Sequence, residues 1–398
     1  VPSHILCSID GLQVLILISL ERYGGKMIYP KSLENGTKIG VTATSAGLAD
    51  PLDWVRIDSG IRHFKELGYP VLETDNVRRY YKGRSSDGST RAKELMELFK
   101  DKEVRAVITA TGGDYLVEML TYIDFQLLGE NPTWLQGYSD TTGITFTVTT
   151  NLDMATIYGS NFGSFGMEHW HSSLVNNVAM LEGKDIIQFS FDKYQDGFVK
   201  IVTGLEEYVL GKNVIWKTIN FQNTEGRDEK YSSSTNKLCG LVPNSVNAKN
   251  VRRNEEEDEV IIKGRAIGGC LDVLLNLVGT RFDKTREFVE KYKQDGILWF
   301  LESFDLNSEA LTRGLWQLKE AGWFEHAVGF MFGRPAMFST STDTSYEEAV
   351  LSALGEFNLP IILEADIGHK PPQFTMINGA IASIKSTGKK GEISFERR

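Results

Sequence analysis

Cysteine is scarce in this chain: three residues, Cys7, Cys239 and Cys270, in 398. None forms a C-x-x-C pair, which removes zinc ribbons and thioredoxin-type redox sites from consideration. So few cysteines in so long a chain fit a reducing compartment, and each reads as a small buried apolar residue. Basic residues are also in deficit, 43 Lys+Arg against 53 Asp+Glu for a net charge of −10. With no dense Lys/Arg block, a nucleic-acid footprint is not expected. The pair Arg252-Arg253 runs straight into Glu255-Glu256-Glu257-Asp258 and reads as a solvated loop. No apolar run is long enough to span a bilayer. Leu12–Leu20 is too short and carries Gln13 and Ser19. It also makes a poor signal peptide, because Asp10 precedes it and no Lys or Arg lies upstream. The expected location is therefore the cytoplasm, with no membrane partner, and residues 1–26, ending just before Met27, are an expected extension outside the fold. His169 and His171 flank Trp170 without a cysteine or acidic cluster beside them, so no metal is expected there, and no motif asks for a cofactor.

What is present is a globular composition, 41% hydrophobic with 24% charged residues, which can bury a sizeable core. From Lys38 onward strand and helix patterns alternate. Lys38 to Ser45 reads as a strand entering a small-residue turn. Asp53 to Leu67 places Trp54, Ile57, Ile61, Phe64 and Leu67 at helical spacing, and Gly68 is a helix stop. A strand starts at Pro70, and Ser89 is an N-cap candidate for a helix through Phe99. Val104–Thr111, Trp134–Asp140 and Ala155–Gly159 read as strands, and Tyr115–Leu120 as helical. The alternation implies an α/β fold with a doubly wound, mostly parallel N-terminal sheet and a smaller mixed α/β C-terminal domain. The expected boundaries are 27–170 for the N-terminal domain, 171–237 for a connecting region, and 238–398 for the C-terminal domain. In the last, Ile297–Glu302, Ala327–Phe332 and Pro360–Ala365 read as strands, and Glu309–Lys319 as a helix.

Ligands in open α/β sheets bind beyond the carboxyl ends of strands. Four segments put glycine or polar residues at such ends: Thr111-Gly112-Gly113-Asp114, Gly137-Tyr138-Ser139-Asp140, Leu301-Glu302-Ser303 and Asp366-Ile367-Gly368-His369. The Gly112-Gly113 junction could turn backbone N–H groups outward to meet an oxyanion or carboxylate; its plainer reading is a tight turn. Glu302 emerges from an apolar strand and could orient a histidine, or could pair with a surface lysine. His369 precedes Lys370-Pro371-Pro372, a rigid loop that could hold an imidazole or leave it in a structural role.

Together these segments resemble the LD-carboxypeptidase (muramoyltetrapeptide carboxypeptidase) family, which includes the microcin C immunity peptidases. Gly112-Gly113, five residues and Met119-Leu120-Thr121-Tyr122-Ile123-Asp124 follow the family's Gly-Gly pattern without a gap. Gly137-Tyr138-Ser139-Asp140, Gly268-Gly269-Cys270-Leu271, Leu301-Glu302 and Gly368-His369 follow in the family's order, over residues 30–390. The resemblance implies a Ser–His–Glu peptidase that removes a D-amino acid from a peptide. It also implies a small peptide or muropeptide ligand and a homodimer. It makes Glu302 the orienting acid and His369 the general base, with Gly112, Gly113 and Asp114 as oxyanion or substrate-binding groups. At the nucleophile position, however, stands Leu116; Cys270 replaces Asn and Thr121 replaces Pro.

Three readings of Leu116 follow: a catalytically inactive peptide- or muropeptide-binding protein, a hydrolase in which His369 and Glu302 activate water with Asp114 nearby, or a substitute nucleophile. Ser139 belongs to a motif whose serine coexists with the usual nucleophile, which points to a structural role. Tyr115 has a high phenolic pKa and no lysine beside it. Asp114 could act as a base or bind a substrate amine, or could cap a helix. On the inherited backbone, a serine placed at 116 would lie near His369. The groups within reach of His369 decide: a nearby Ser, Cys or Asp favours catalysis, and only apolar atoms of Leu116 favour a binding protein.

Overall fold

The structure is a computed structural model that describes residues 26–221 and 259–398. Cys7, Cys239, the Leu12–Leu20 run, the Arg252-Arg253 loop and residues 1–25 of the expected extension lie outside the described residues. The first lobe is built on five parallel strands, β1 (Lys38–Thr42), β2 (Val71–Glu73), β3 (Val104–Thr109), β4 (Trp134–Gly137) and β5 (Thr156–Tyr158), in spatial order 5-4-3-1-2. Helices α1 (Pro51–Glu66), α2 (Gly88–Lys100), α3 (Val117–Leu120), α4 (Phe125–Glu130) and α5 (Thr142–Leu152) lie in the connections. Local chemistry sets their ends. Asp50 caps Leu52 N–H, Pro51 opens α1, and Gly68 takes φ +90° just past its end. The cap of α2 is Asp87, not Ser89: its two carboxylate oxygens take the backbone N–H and the hydroxyl of Thr90, both at 2.9 Å, and Ser89 falls inside the first turn.

The direction of winding reverses between β1 and β3, the switch point where such sheets leave a crevice. The turns after these two strands meet there, with Ala46 N–H donating to Gly112 O at 3.1 Å.

The second lobe is an eight-stranded mixed sheet, so the doubly wound first sheet and the mixed second one are both as expected. Its centre is four parallel strands, Val260–Cys270, Ile297–Glu302, Ala327–Gly333 and Ile361–Ala365. Antiparallel strands Ile381–Ser386, Gly391–Glu396 and Gln188–Phe189 extend one side, and Lys217–Ile219 closes the other. Every residue of Ile297–Glu302 is buried, as its unbroken apolar run before Glu302 demands. The lobes are not separate in sequence. Met376–Asn378 leaves the C-terminal part and pairs antiparallel with β5, Met376 opposite Tyr158. Among the described residues no helix is long and apolar enough to cross a membrane.

Candidate active site

Glu302 ends the most buried strand of the second lobe, and its carboxylate is fully enclosed. An unpaired charge there would cost several kcal/mol. Two donors meet it: His369 Nδ1 at 2.9 Å on Oε2 and the Tyr158 hydroxyl at 2.5 Å on Oε1. Burial pushes the carboxyl up; the charge of His369 and these hydrogen bonds outweigh it and hold Glu302 below the usual carboxylate range. Two glycines make the room. A Cβ on Gly333 would come within 2.9 Å of Glu302 Cβ, and one on Gly368 within 2.7 Å of Glu302 Cγ.

His369 is held by the loop it sits on. The buried Arg334 donates to the carbonyls of Glu364 (3.0 Å) and Lys370 (3.2 Å) and pairs with Asp366 at 3.0 Å, while Trp216 Nε1 donates to the other Asp366 oxygen at 2.9 Å. The imidazole lies between the rings of Tyr138 and Phe304, with centroids 5.1 and 4.7 Å away. Burial pushes its pKa down, but the charge and hydrogen bond of Glu302, with a smaller contribution from Asp272, leave it above the ordinary imidazole value. With Nδ1–H given to Glu302, Nε2 carries the lone pair. It faces the hydroxyl of Ser139 at 2.9 Å, so Ser139 donates.

Ser139 stands at the turn from β4 into α5 with φ +63°, a left-handed conformation that costs a non-glycine residue on the order of 1 kcal/mol. The turn is braced from beneath. Asn161 Oδ1 accepts from Tyr138 N–H (3.1 Å) and Thr109 Oγ1 (2.9 Å), and Thr109 Oγ1 bonds Thr141 Oγ1 at 2.9 Å. Gly137 must be glycine here, since a Cβ would lie 2.3 Å from Thr109 Oγ1. A Gly-x-Ser at the carboxyl end of a strand, with the serine at positive φ before a helix, is the layout of a nucleophile elbow. Ser139, read from sequence as structural, is thus the hydroxyl within reach of His369, and the Gly-x-Ser spacing was the signal that could have singled it out.

The Gly112-Gly113 turn lies against this serine. A Cβ on Gly112 would be 3.0 Å from Ser139 Oγ, and Gly113 takes φ +142° against Ser45 and Ala46. Asp140 ties the turn down, accepting from Ser45 Oγ at 2.5 Å and from Leu116 N–H at 2.9 Å. Its carboxyl is raised because burial outweighs these bonds. Leu116 is fully buried and its side chain is directed at α5, where a Cβ on Gly143 would meet Leu116 Cδ2 at 2.7 Å. Position 116 therefore fills core space, and the hydroxyl that His369 meets belongs to Ser139. Asp114 is exposed in the turn. It is not the cap of α3, which starts from Leu116 with no side-chain cap. The Tyr115 ring lies under the Arg84 guanidinium at 3.4 Å. Cys270 is buried, its backbone N–H bonded to Thr142 Oγ1 (3.1 Å), its thiol pushed up by burial and by the charges of Glu302 and Asp272. His171 caps the helix Ser172–Leu181 by accepting from Ser173 N–H, and His169 pairs with Glu207 on the surface, so the two act separately.

A serine hydroxyl, an imidazole and a carboxylate in line, at the carboxyl ends of parallel strands in a two-lobed α/β fold, describe a serine-hydrolase type of site. Residues 39–159 match the LD-carboxypeptidase N-terminal domain and residues 263–384 the LD-carboxypeptidase C-terminal domain, and the chain belongs to this family. It is 24% identical over 368 residues to a probable murein peptide carboxypeptidase of Bacillus subtilis, covering 92% of this chain and 93% of that one. It is 23% identical to the microcin C7 self-immunity protein MccF of Escherichia coli, over 85% of this chain and 88% of that protein. Among solved structures it resembles an MccF-like protein from Bacillus anthracis (TM-score 0.69, 24% identity, 93% of this chain and 100% of that one). It also resembles a muramoyltetrapeptide carboxypeptidase from Oxalobacter formigenes (TM-score 0.63, 16% identity, 90% and 98%). These structural likenesses share the fold.

Proposed function

We propose that this chain is an active peptide hydrolase of the LD-carboxypeptidase type whose nucleophile is Ser139, with His369 as general base and Glu302 as orienting acid. The observation that carries this reading is the 2.9 Å contact between His369 Nε2 and Ser139 Oγ, with Glu302 on the other ring nitrogen. Ser139 Oγ attacks the carbonyl carbon of the scissile peptide bond as its proton passes to Nε2. The resulting oxyanion faces the Gly112-Gly113-Asp114 turn, whose N–H groups are the proposed donors. The C–N bond then breaks, Nε2–H protonates the leaving amine, and an ester on Ser139 remains. Water, deprotonated by His369, cleaves that ester and restores the serine.

The substrate class proposed is a muropeptide-type LD-peptide, supported by the family and by the murein and muramoyltetrapeptide carboxypeptidases among its relatives. The low cysteine count supports a cytoplasmic setting. The competing reading, a binding protein that has lost acylation, draws on Leu116. Incubation with a peptidoglycan tetrapeptide ending in a D-amino acid separates the two. Release of that residue by the wild type, and none by a folded Ser139→Ala variant, is the expected result. Binding without release by the wild type would favour the binding protein.

A further inference from the structure

We propose that Tyr158 is a positioning residue of this site, one whose hydroxyl, carried on a strand of the first lobe, holds the carboxylate of Glu302 in the second. The inference rests on the assignment of Ser139 above and adds to it the part that holds the orienting acid in place.

Tyr158 ends β5 and is completely buried. Although its strand belongs to the first sheet, its ring projects into the second lobe's apolar cluster and packs on Phe300 with centroids 5.7 Å apart. Its hydroxyl donates to Glu302 Oε1 at 2.5 Å. A residue of the first sheet thus contacts the orienting acid of the second lobe. The strand Met376–Asn378 fixes its height, Met376 lying opposite Tyr158 in the ladder.

The arrangement answers a geometric need. The carboxylate of Glu302 has two oxygens, and His369 takes Oε2. A donor on Oε1 stops rotation of the carboxylate and keeps Oε2 in the imidazole plane. Burial, and then the charge of Glu302, hold the phenol well above its ordinary pKa, so it stays a neutral donor. A phenylalanine at 158 would fill nearly the same space and lose the hydrogen bond to Glu302, so packing and positioning separate experimentally.

The test is the titration of the His369 imidazole by NMR, together with the second-order rate at which a fluorophosphonate labels Ser139 across pH. Glu302, Ser139, Asp272 and the rings of Tyr138 and Phe304 face this imidazole. In Tyr158→Phe the carboxylate keeps more of its charge for the imidazolium, so the His369 midpoint moves up. The plateau labelling rate falls about 10–100-fold through lost alignment. Replacing Tyr158 by 3-fluorotyrosine keeps the hydroxyl and makes it a stronger donor, so the midpoint moves down; this second substitution serves even if the phenylalanine variant folds poorly. A midpoint unchanged in either folded variant overturns the coupling. Absence of wild-type labelling at Ser139 would contradict the assignment of the nucleophile, and the imidazole titration would still decide on Tyr158.

Discussion

Leu116 and Ser139 show how a position's identity and its role come apart. Sequence spacing points to position 116 for the nucleophile and finds a leucine there. It could not reveal that Asp140 holds the Leu116 amide while the leucine side chain fills space against Gly143, because that contact depends on how α5 sits on the turn. Nor did it reveal that His369 and Ser139, 230 residues apart, share a hydrogen bond. Leu116→Ser is therefore expected to destabilise the fold by about 3 kcal/mol through loss of a buried side chain, without a new reactive hydroxyl. Chemical denaturation and phosphonate labelling read the two effects separately. Labelling of the new serine would show that position 116 still addresses His369. Ser139→Ala, by contrast, should leave the thermal midpoint nearly unchanged and lower turnover by roughly 10⁴-fold or more.

At the scale of elements, local chemistry was the legible part. The strand Ile297–Glu302 and its terminal carboxylate follow directly from an apolar run closed by one acid. The cap of α2 was misassigned because serine and aspartate two residues apart are both good caps, and only geometry shows which side chain reaches Thr90. Glycines carry the most pointed prediction. Gly368 takes φ +93°, and a Cβ there would overlap Glu302, whereas Gly36 takes φ +85° with nothing within 4 Å. Gly36→Ala should cost about 1 kcal/mol from backbone strain alone and leave activity intact. Gly368→Ala should bear the same strain and also displace the carboxylate, with turnover falling about 100-fold. Equal activity in the two variants would mean that the placement of Glu302 is not critical.

Across the whole molecule, alternation of strands and helices made the first sheet readable, but the return of Met376–Asn378 to its edge has no local signature. A short strand does not announce a partner more than 200 residues away. The His369–Glu302 pair adds a pH dependence to the stability of the assembled lobes. His369 has a raised pKa, so its contribution is full below the ordinary imidazole value of about 6.5 and fades as pH rises through the folded value. Glu302 has a lowered pKa, so its contribution is full above the ordinary carboxylate value of about 4.3 and fades as pH falls through the folded value. The calorimetric midpoint of the wild type minus that of Glu302→Gln should therefore be largest between about pH 4.3 and 6.5 and shrink on both sides. A difference independent of pH would mean that the two groups do not titrate as a pair. The central claim, that Ser139 is the nucleophile, is tested most directly by mass spectrometry of the intact chain after fluorophosphonate treatment, with peptide mapping of the adduct. One adduct is expected, on Ser139, lost in Ser139→Ala and in His369→Ala. No adduct, or an adduct on any other residue, would contradict it.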